Sequence, residues 1–487
     1  MPSIVDTANF KLKEFLKKFT VMRHAPRELW IILAAYILEN IAYKLSSSQV
    51  LPGWLKVEMS MGDETRGVII GVWSALVTLF TVLVGSLTDA VGIRRTFLIG
   101  FSICISARLV MAAATATTWI ALGAGMLPLA LGLALMTPVM AAAMKRYSSA
   151  AQRSVAFSLY YALMNLGFAI GARIFDHLRH VLGENGGWQV PGLQANIGTY
   201  RVMIMWSVAF TLPGLALTWF FLRDGVEMTE NGLCVAPAET KNLSGENPLA
   251  ATTRLFGELW RQPMFMRFLL FMALVVGVKM IFFFVDYVIP DFAKREISPD
   301  APFAQVSAML NSLLILVLAP LCGVLMQRVS AFRAIAVGSA ISAASVFFLA
   351  LPPALLQPLA DGWLGNMIVH HWLNVPGPVN PLYISIFLFT FGLSIGEALW
   401  SPRLYEYAAA IAPKGREASY MAMTSLPYFF AKCGAGFLSG WLLVNFCPET
   451  GARHPQTMWV IVGGIALATP LGAILFRKYI QVHEAGR

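Results

Sequence analysis

The feature that most constrains this chain is a succession of apolar runs, each close to the length that crosses a bilayer as a helix, about 20 residues. In lipid no backbone N–H or C=O can be left without a partner, so such runs must be helical. They lie at about 28–54, 66–91, 95–116, 119–146, 154–180, 201–222, 264–290, 303–327, 332–356, 381–411, 417–446 and 457–478. Of the 487 residues, 57% are hydrophobic and 13% charged. Soluble domains carry about 25% charged residues, so the balance excludes an ordinary soluble protein. The expected fold is an all-α membrane protein with 12 transmembrane helices.

Spanning the end of the second run and the start of the third is Gly85-Ser-Leu-Thr-Asp89-Ala-Val-Gly92-Ile-Arg94-Arg95. Glycine fits where a tight turn crowds two backbones, and an acid followed by two arginines can latch a membrane face. The pattern resembles the loop signature of the major facilitator superfamily, where it joins helices 2 and 3 on the cytoplasmic side and steadies the outward-facing state. Gating is therefore expected at Gly85, Asp89, Gly92, Arg94 and Arg95. A second copy follows: Gly323-Val-Leu-Met-Gln327-Arg328 stands to the first as Ile289-Pro290-Asp291-Phe292 stands to Leu51-Pro52-Gly53-Trp54, at one spacing. Thr137-Pro138 is matched by Ser401-Pro402. Such repetition implies two pseudo-symmetric six-helix halves. The expected organisation is an amphipathic N-terminal segment at 1–27, bundles at 28–222 and 263–478, a linker at 223–262 and a tail at 479–487.

The net charge is +10, yet no basic run is aromatic-interleaved enough for nucleic acid. Lys and Arg cluster beside apolar runs, as the positive-inside rule expects. Arg94/Arg95, Lys145/Arg146/Arg153, Arg328/Arg333, Lys414/Arg416 and Arg477/Lys478 share one side with the basic N-terminus. Both termini are thus expected in the cytoplasm, with the plasma or inner membrane as location. Lys56, Arg66, Lys294 and Arg295 dilute the contrast on the other side. The first 27 residues lack the apolar core of a signal peptide, and Leu12, Phe15, Leu16 and Phe19 suggest a helix lying on the leaflet. Three of the five cysteines lie in apolar runs, against a disulfide framework.

Ionisable groups within hydrocarbon are costly, so each is a functional candidate. Glu39 shares a helix face with Tyr43, and Lys44 follows. Lys279 and Asp286 lie two turns apart in helix 7, Glu397 in helix 10 and Lys432 in helix 11. By the superfamily's arrangement, helices 1, 4, 7 and 10 line the cavity, which would bring Glu39, Lys279, Asp286 and Glu397 together. A structural pairing of Lys279 with Asp286 is the plainer alternative. Arg108 and Arg173 are weaker candidates, Arg173 through a local pair with Asp176. Arg403 and Glu406 would brace the inner gate. His177, His180, His370 and His371 lack the company a metal site needs, and neither metal nor cofactor is expected.

Phe157-Ser-Leu-Tyr160-Tyr161-Ala-Leu-Met-Asn165-Leu-Gly167 and Gly396-Glu397-Ala-Leu-Trp-Ser401-Pro402 resemble the helix 5 and helix 10 signatures of the proton-coupled oligopeptide transporters. That resemblance implies peptide contacts at Asn165, with Tyr161 nearby, and at Glu397, which would face the peptide amino terminus. The family's helix 1 motif E-x-x-E-R-F-x-Y-Y is reduced here to Glu39 and Tyr43, and Thr137 stands where the family has a lysine. Lys44 or Lys279 would then supply the cation.

The expected function is a secondary transporter moving a small polar organic solute, a di- or tripeptide or similar, by alternating access with protons carried on Glu39 and Glu397. Substrate contacts are expected at Tyr43, Lys44, Tyr161, Asn165, Lys279, Asp286 and Glu397. Three alternatives stand beside it: an organic-anion facilitator or exchanger using Lys44 and Lys279, a lipid flippase, and a receptor that kept the scaffold. No enzyme signature is present. The expected partners are solute, protons and bilayer, with the chain a monomer by analogy.

Overall fold

In the computed structural model the described residues are 20–114, 118–192, 196–229, 232–235, 263–325, 329–411 and 426–480. The helices follow the apolar runs: α1 (Arg27–Lys44), α2 (Asp63–Val91), α3 (Ile93–Ala113), α4 (Leu127–Arg146), α5 (Ala150–Leu182) and α6 (Thr199–Phe221). After the linker come α7 (Pro263–Tyr287), α8 (Leu310–Leu325), α9 (Ala331–Ala350), α10 (Leu382–Ile411), α11 (Leu426–Phe446) and α12 (Pro455–Leu475). Among the described residues, nine helical spans are long and apolar enough to cross a membrane. Internal prolines at Pro213, Pro320 and Pro470 are accommodated within α6, α8 and α12, as membrane helices permit.

One expectation needs correction. The first run does not continue as one helix to 54: α1 stops at Lys44, and a short helix resumes at Val50–Gly53. Ser46 to Gln49 lie between them, and Ser46 Oγ donates back to the Ala42 carbonyl (2.8 Å), the local competition by which serine weakens helices. Between α9 and α10, helices occupy Pro353–Ala360 and Trp363–Trp372. The linker opens with an antiparallel hairpin, β3 (Val226–Thr229) on β4 (Gly232–Val235), with Val226 opposite Val235. A smaller hairpin, β1 (Gly187–Gln189) on β2 (Asn196–Gly198), joins α5 to α6. The N-terminal amphipathic segment up to 19, linker residues 236–262, Gln327 and Arg328, Lys414 and Arg416, and the tail from 481 lie outside the described residues.

The chain divides into two compact units. The first comprises Met1–Ser46, Leu76–Gly167 and Ile204–Arg261; the second comprises Ser47–Ala75, Phe168–Met203 and Gln262–Arg487. Within the first, Ile32, Leu33, Phe97, Phe101, Met140 and Met144 form a buried core. Helix α5 seats on α1 through Gly167, whose added Cβ would lie 2.8 Å from Asn40 Cβ and 3.0 Å from the Ile37 carbonyl. The rings of Tyr36 and Tyr160 stack across the same seam, centroids 4.2 Å apart.

Small residues likewise set the second unit. Gly67 and Gly71 of α2 meet Gly436 and Gly440 of α11 backbone to backbone: a Cβ at Gly436 would lie 2.3 Å from Gly71 Cα. Both helices thus carry glycines four apart, the spacing that lets membrane helices cross closely. Gly396 of α10 is pressed against Gly338 and Ser342 of α9 in the same way, which fixes the neighbouring Glu397.

Candidate functional site

In the second unit a polar cluster forms among α7, α8, α10 and α11. Lys279 of α7 is 3% exposed. Its ammonium lies 3.8 Å from the Tyr428 ring centroid and 4.4 Å from that of Trp400, within cation–π range of both. It also donates to the Tyr428 hydroxyl. Glu397 is within electrostatic reach of the same ammonium. Asn311 of α8 donates from Nδ2 to Glu397 Oε2 (3.0 Å) and to Ser394 Oγ (3.0 Å), so the carboxylate is fixed from α8 and α10 together. Trp400 is anchored in turn by its indole N–H on Ser342 Oγ (3.3 Å) and by the edge of Phe282.

The sequence reading brings Lys279 and Glu397 to one place, and the structure does the same. It offers no ion pair between Lys279 and Asp286. Asp286 instead lies within electrostatic reach of Lys432, whose ammonium stands 5.7 Å from the Phe283 ring centroid. Asn311, Trp400 and Tyr428 are the members sequence reasoning missed. Trp400 carried a usable signal, since it stands three residues after Glu397 on one helix face. Asn311 and Tyr428 reach the cluster only by tertiary packing.

The first unit holds a second buried group. Arg108 of α3 is fully buried and Glu39 of α1 nearly so. Arg108 donates from Nη2 to Glu39 Oε1 (2.7 Å) and from Nη1 to Oε2 (3.2 Å). Its Nε reaches Ser46 Oγ (3.1 Å) and its Nη1 also reaches Thr211 of α6. Thr211 donates to Glu39 Oε2 as well (3.2 Å). Three helices are thereby pinned around one neutralised pair. Arg108, ranked low in the sequence, is the direct partner of Glu39. Tyr43 is half-buried and Lys44 buried at the end of α1. Asn165 is buried, and its Nδ2 donates to the Tyr161 carbonyl one turn back (2.9 Å).

At the Asp63 end of α2 an ionic network lies within the second unit. Asp291, 1% exposed, accepts from Arg66 and, at 3.3 Å, from Lys56. Lys294 stands 3.6 Å from it, while Arg295 pairs with Asp63 at 2.6 Å. Glu184 joins Arg179 (2.6 Å), Lys294 (2.9 Å) and the Tyr200 hydroxyl (2.5 Å). Arg179 caps the carbonyls of Pro299 (2.6 Å) and Ala301 (3.2 Å). Burial pushes the Asp291 carboxyl up, but Arg66, Lys294 and Lys56 outweigh it and hold it well below the ordinary carboxylate range. Burial likewise opposes ionisation of Glu184, and Lys294 and Arg179 bring it down to about 2. Lys56, Arg66, Lys294 and Arg295, which blur the charge asymmetry of the sequence, are thus engaged by carboxylates. Asp176 pairs with Arg179 (3.7 Å) and accepts from the Gln305 N–H (2.7 Å). Arg173, the partner expected for Asp176, is exposed instead. Both arginines stand three residues from Asp176, and burial favours Arg179.

At the other end of α2, Gly92 makes the turn into α3 with φ of +90°, a conformation suited to glycine. Arg94 donates to Asp224 (3.3 Å) and to the Trp219 carbonyl (2.8 Å), and Arg95 is exposed. The side chains of Asp89, Thr137, Arg403 and Glu406, and the surroundings of Gly85, lie outside the described part. Among the described residues no group of three metal-binding side chains comes together.

The family model described as Major Facilitator Superfamily matches residues 30–369. Among solved structures, a POT family transporter in complex with 5-aminolevulinic acid is 16% identical with a TM-score of 0.66, covering 94% of this chain and 97% of its own. A peptide transporter POT in complex with sulfate is 16% identical with a TM-score of 0.64, covering 95% and 98%. The nucleoside transporter NupG is 12% identical with a TM-score of 0.65, covering 93% and 100%. These likenesses establish the fold. No curated protein matches the sequence.

Proposed function

The chain belongs to the major facilitator superfamily, and we propose that it is a proton-coupled secondary transporter of a small amine-bearing organic solute, peptide-like in kind. The observation that carries this reading is the cluster of Lys279, Asn311, Glu397, Trp400 and Tyr428, where an acid, a base, an amide and two aromatic faces converge inside a membrane-spanning unit. A zwitterion needs such mixed chemistry: a carboxylate for its ammonium, a cation for its carboxylate and an amide for its peptide group.

In this reading twelve helices form two six-helix halves, 28–222 and 263–478, that rock about the site, with both termini in the cytoplasm. The Asp291 network supports closure at one face and Gly92–Arg94 the latch at the other. Glu397 carries the proton, because a carboxylate that alternates between a lysine and a substrate amine can also alternate between ionised and neutral forms. Glu39, enclosed by Arg108 and Thr211, serves as the pin of α1, α3 and α6. Tyr43, Lys44, Tyr161 and Asn165 are the contacts assigned to the first half, and Asp286 to the second.

A second reading, an organic-anion facilitator, draws on Lys279 and Lys432 lying on facing helices of one unit. A melting series of the purified protein with dipeptides, amino acids, nucleosides and organic acids separates the two. A ligand that binds the folded form raises the melting temperature with occupancy. Stabilisation by peptides, lost in Glu397→Gln, is the expected result. Stabilisation by organic acids alone moves the function to the second reading.

A further inference from the structure

The Lys279 ammonium sits in a place whose chemistry is that of an ammonium receptor. Two electron-rich ring faces, Trp400 and Tyr428, bracket it, and a carboxylate stands nearby. Ring faces with a neighbouring acid are how proteins recognise alkylammonium ligands. The cage and its occupant belong to different helices. Trp400 and Glu397 come from α10, Tyr428 from α11 and the supporting Asn311 from α8, whereas the lysine enters from α7.

One hydrogen bond joins the occupant to the cage. A lysine ammonium carries three N–H donors, and the acceptor within hydrogen-bond reach among the described residues is the Tyr428 hydroxyl. The cage itself is rigid, with Trp400 fixed by Ser342 and Phe282, and Glu397 fixed by Asn311 and by Gly396 packed on α9. Glu397 and Tyr428 are only partly buried, so the cage opens to one side, while Lys279 is 3% exposed. A cation carried on one helix thus fills a receptor made by others.

We infer that Lys279 is a tethered stand-in for the substrate: its ammonium occupies the cage of Trp400 and Tyr428 when no ligand is present, and the ammonium of an incoming primary amine displaces it. This rests on the reading of the cluster as the substrate site and assigns the substrate class as a solute bearing a free, protonated amine. Displacement would free the lysine for the carboxylate end of the same solute, so one exchange would engage both charges of a zwitterion. No bond is made or broken, and one cation replaces another.

The test is rescue by a free amine, read as melting temperature of the full-length protein in detergent. In Lys279→Ala the cage is vacated, and the variant is expected to melt lower than wild type. Methylammonium chloride should raise it in a saturating manner, whereas equal sodium chloride should not, and wild type should respond only at much higher amine concentration. Adding Trp400→Leu to Lys279→Ala should abolish the rescue. Should the alanine variant not fold, Lys279→Ser is read in the same way. A melting temperature of Lys279→Ala and Lys279→Ser indifferent to methylammonium overturns the inference, as does an equal response in all variants. Sodium acetate stabilising wild type but not Lys279→Ala, with no amine response, also overturns it and makes Lys279 an anion binder. Peptide stabilisation of wild type without amine rescue would leave the transport reading standing and remove the tethered stand-in alone.

Discussion

Arg108 and Glu39 join α3 to α1 by two parallel charge-assisted hydrogen bonds, 2.7 and 3.2 Å, in a site that excludes water from the guanidinium altogether. A pair so placed constrains helix packing because neither charge can be left alone. Removing one member of a buried pair costs about 3–5 kcal/mol, whereas replacing both with apolar groups is often neutral. Arg108→Leu or Glu39→Leu alone should therefore lower the melting temperature sharply, and the double Leu variant should recover most of the loss. Additive losses in the double variant would show that the two side chains act independently.

The seam between α2 and α11 makes a steric prediction. An added Cβ at Gly436 would meet Gly71 Cα at 2.3 Å, while one at Gly434 would meet only the end of Met280 at 3.4 Å. Overpacking of this kind costs about 1–3 kcal/mol. Gly436→Ala should melt lower than Gly434→Ala, which should resemble wild type. Equal melting of the two variants would mean that the seam does not govern stability.

Acid should weaken the Asp63-end network in a defined window. The Glu184 carboxyl, at about 2 against an ordinary 4.5, is depressed in the folded protein. Its stabilising contribution is therefore complete above about pH 4.5 and lost as pH falls towards 2. The melting-temperature gap between wild type and Glu184→Gln should be constant from pH 7 to 5 and close below 4.5. A gap that widens on acidification would reverse the sign and refute the assignment.

Asn311 tests the polar cluster from outside its charges. Its amide bridges Ser394 and Glu397, and a hydrogen bond to a charged group contributes about 1.5–3 kcal/mol. Asn311→Ala should therefore melt below wild type, and affinity for a stabilising peptide should fall as well, because Glu397 loses the partner that positions it. Unchanged peptide affinity would place the ligand elsewhere.

Much of this architecture is legible in the residues, and the limits have physical reasons. Runs of apolar residues must become helices in lipid, so α2 to α12 fall close to their expected places. The break after Lys44 escapes hydropathy because it is a local matter of hydrogen bonding, with Ser46 donating back to the Ala42 carbonyl. Glu397 and Lys279 could be singled out because ionisable groups in hydrocarbon are conspicuous singly. The pairings could not be read, because Tyr428 lies 149 residues from Lys279 in sequence and Arg108 lies 69 from Glu39, and no local spacing encodes such meetings. Lys56, Arg66, Lys294 and Arg295 misled because part of their neutralisation is long-range: Asp291 engages Lys56 and Arg66, and Asp63 engages Arg295.

The central claim is that Glu397 couples protons to movement of an amine-bearing solute. Its most direct test is uptake of a labelled dipeptide into proteoliposomes, with and without an inwardly directed proton gradient, for wild type and Glu397→Gln. The account predicts gradient-driven accumulation by wild type and, in Glu397→Gln, loss of accumulation above equilibrium. Undiminished gradient-driven accumulation by Glu397→Gln, or wild-type uptake indifferent to the gradient, would contradict it.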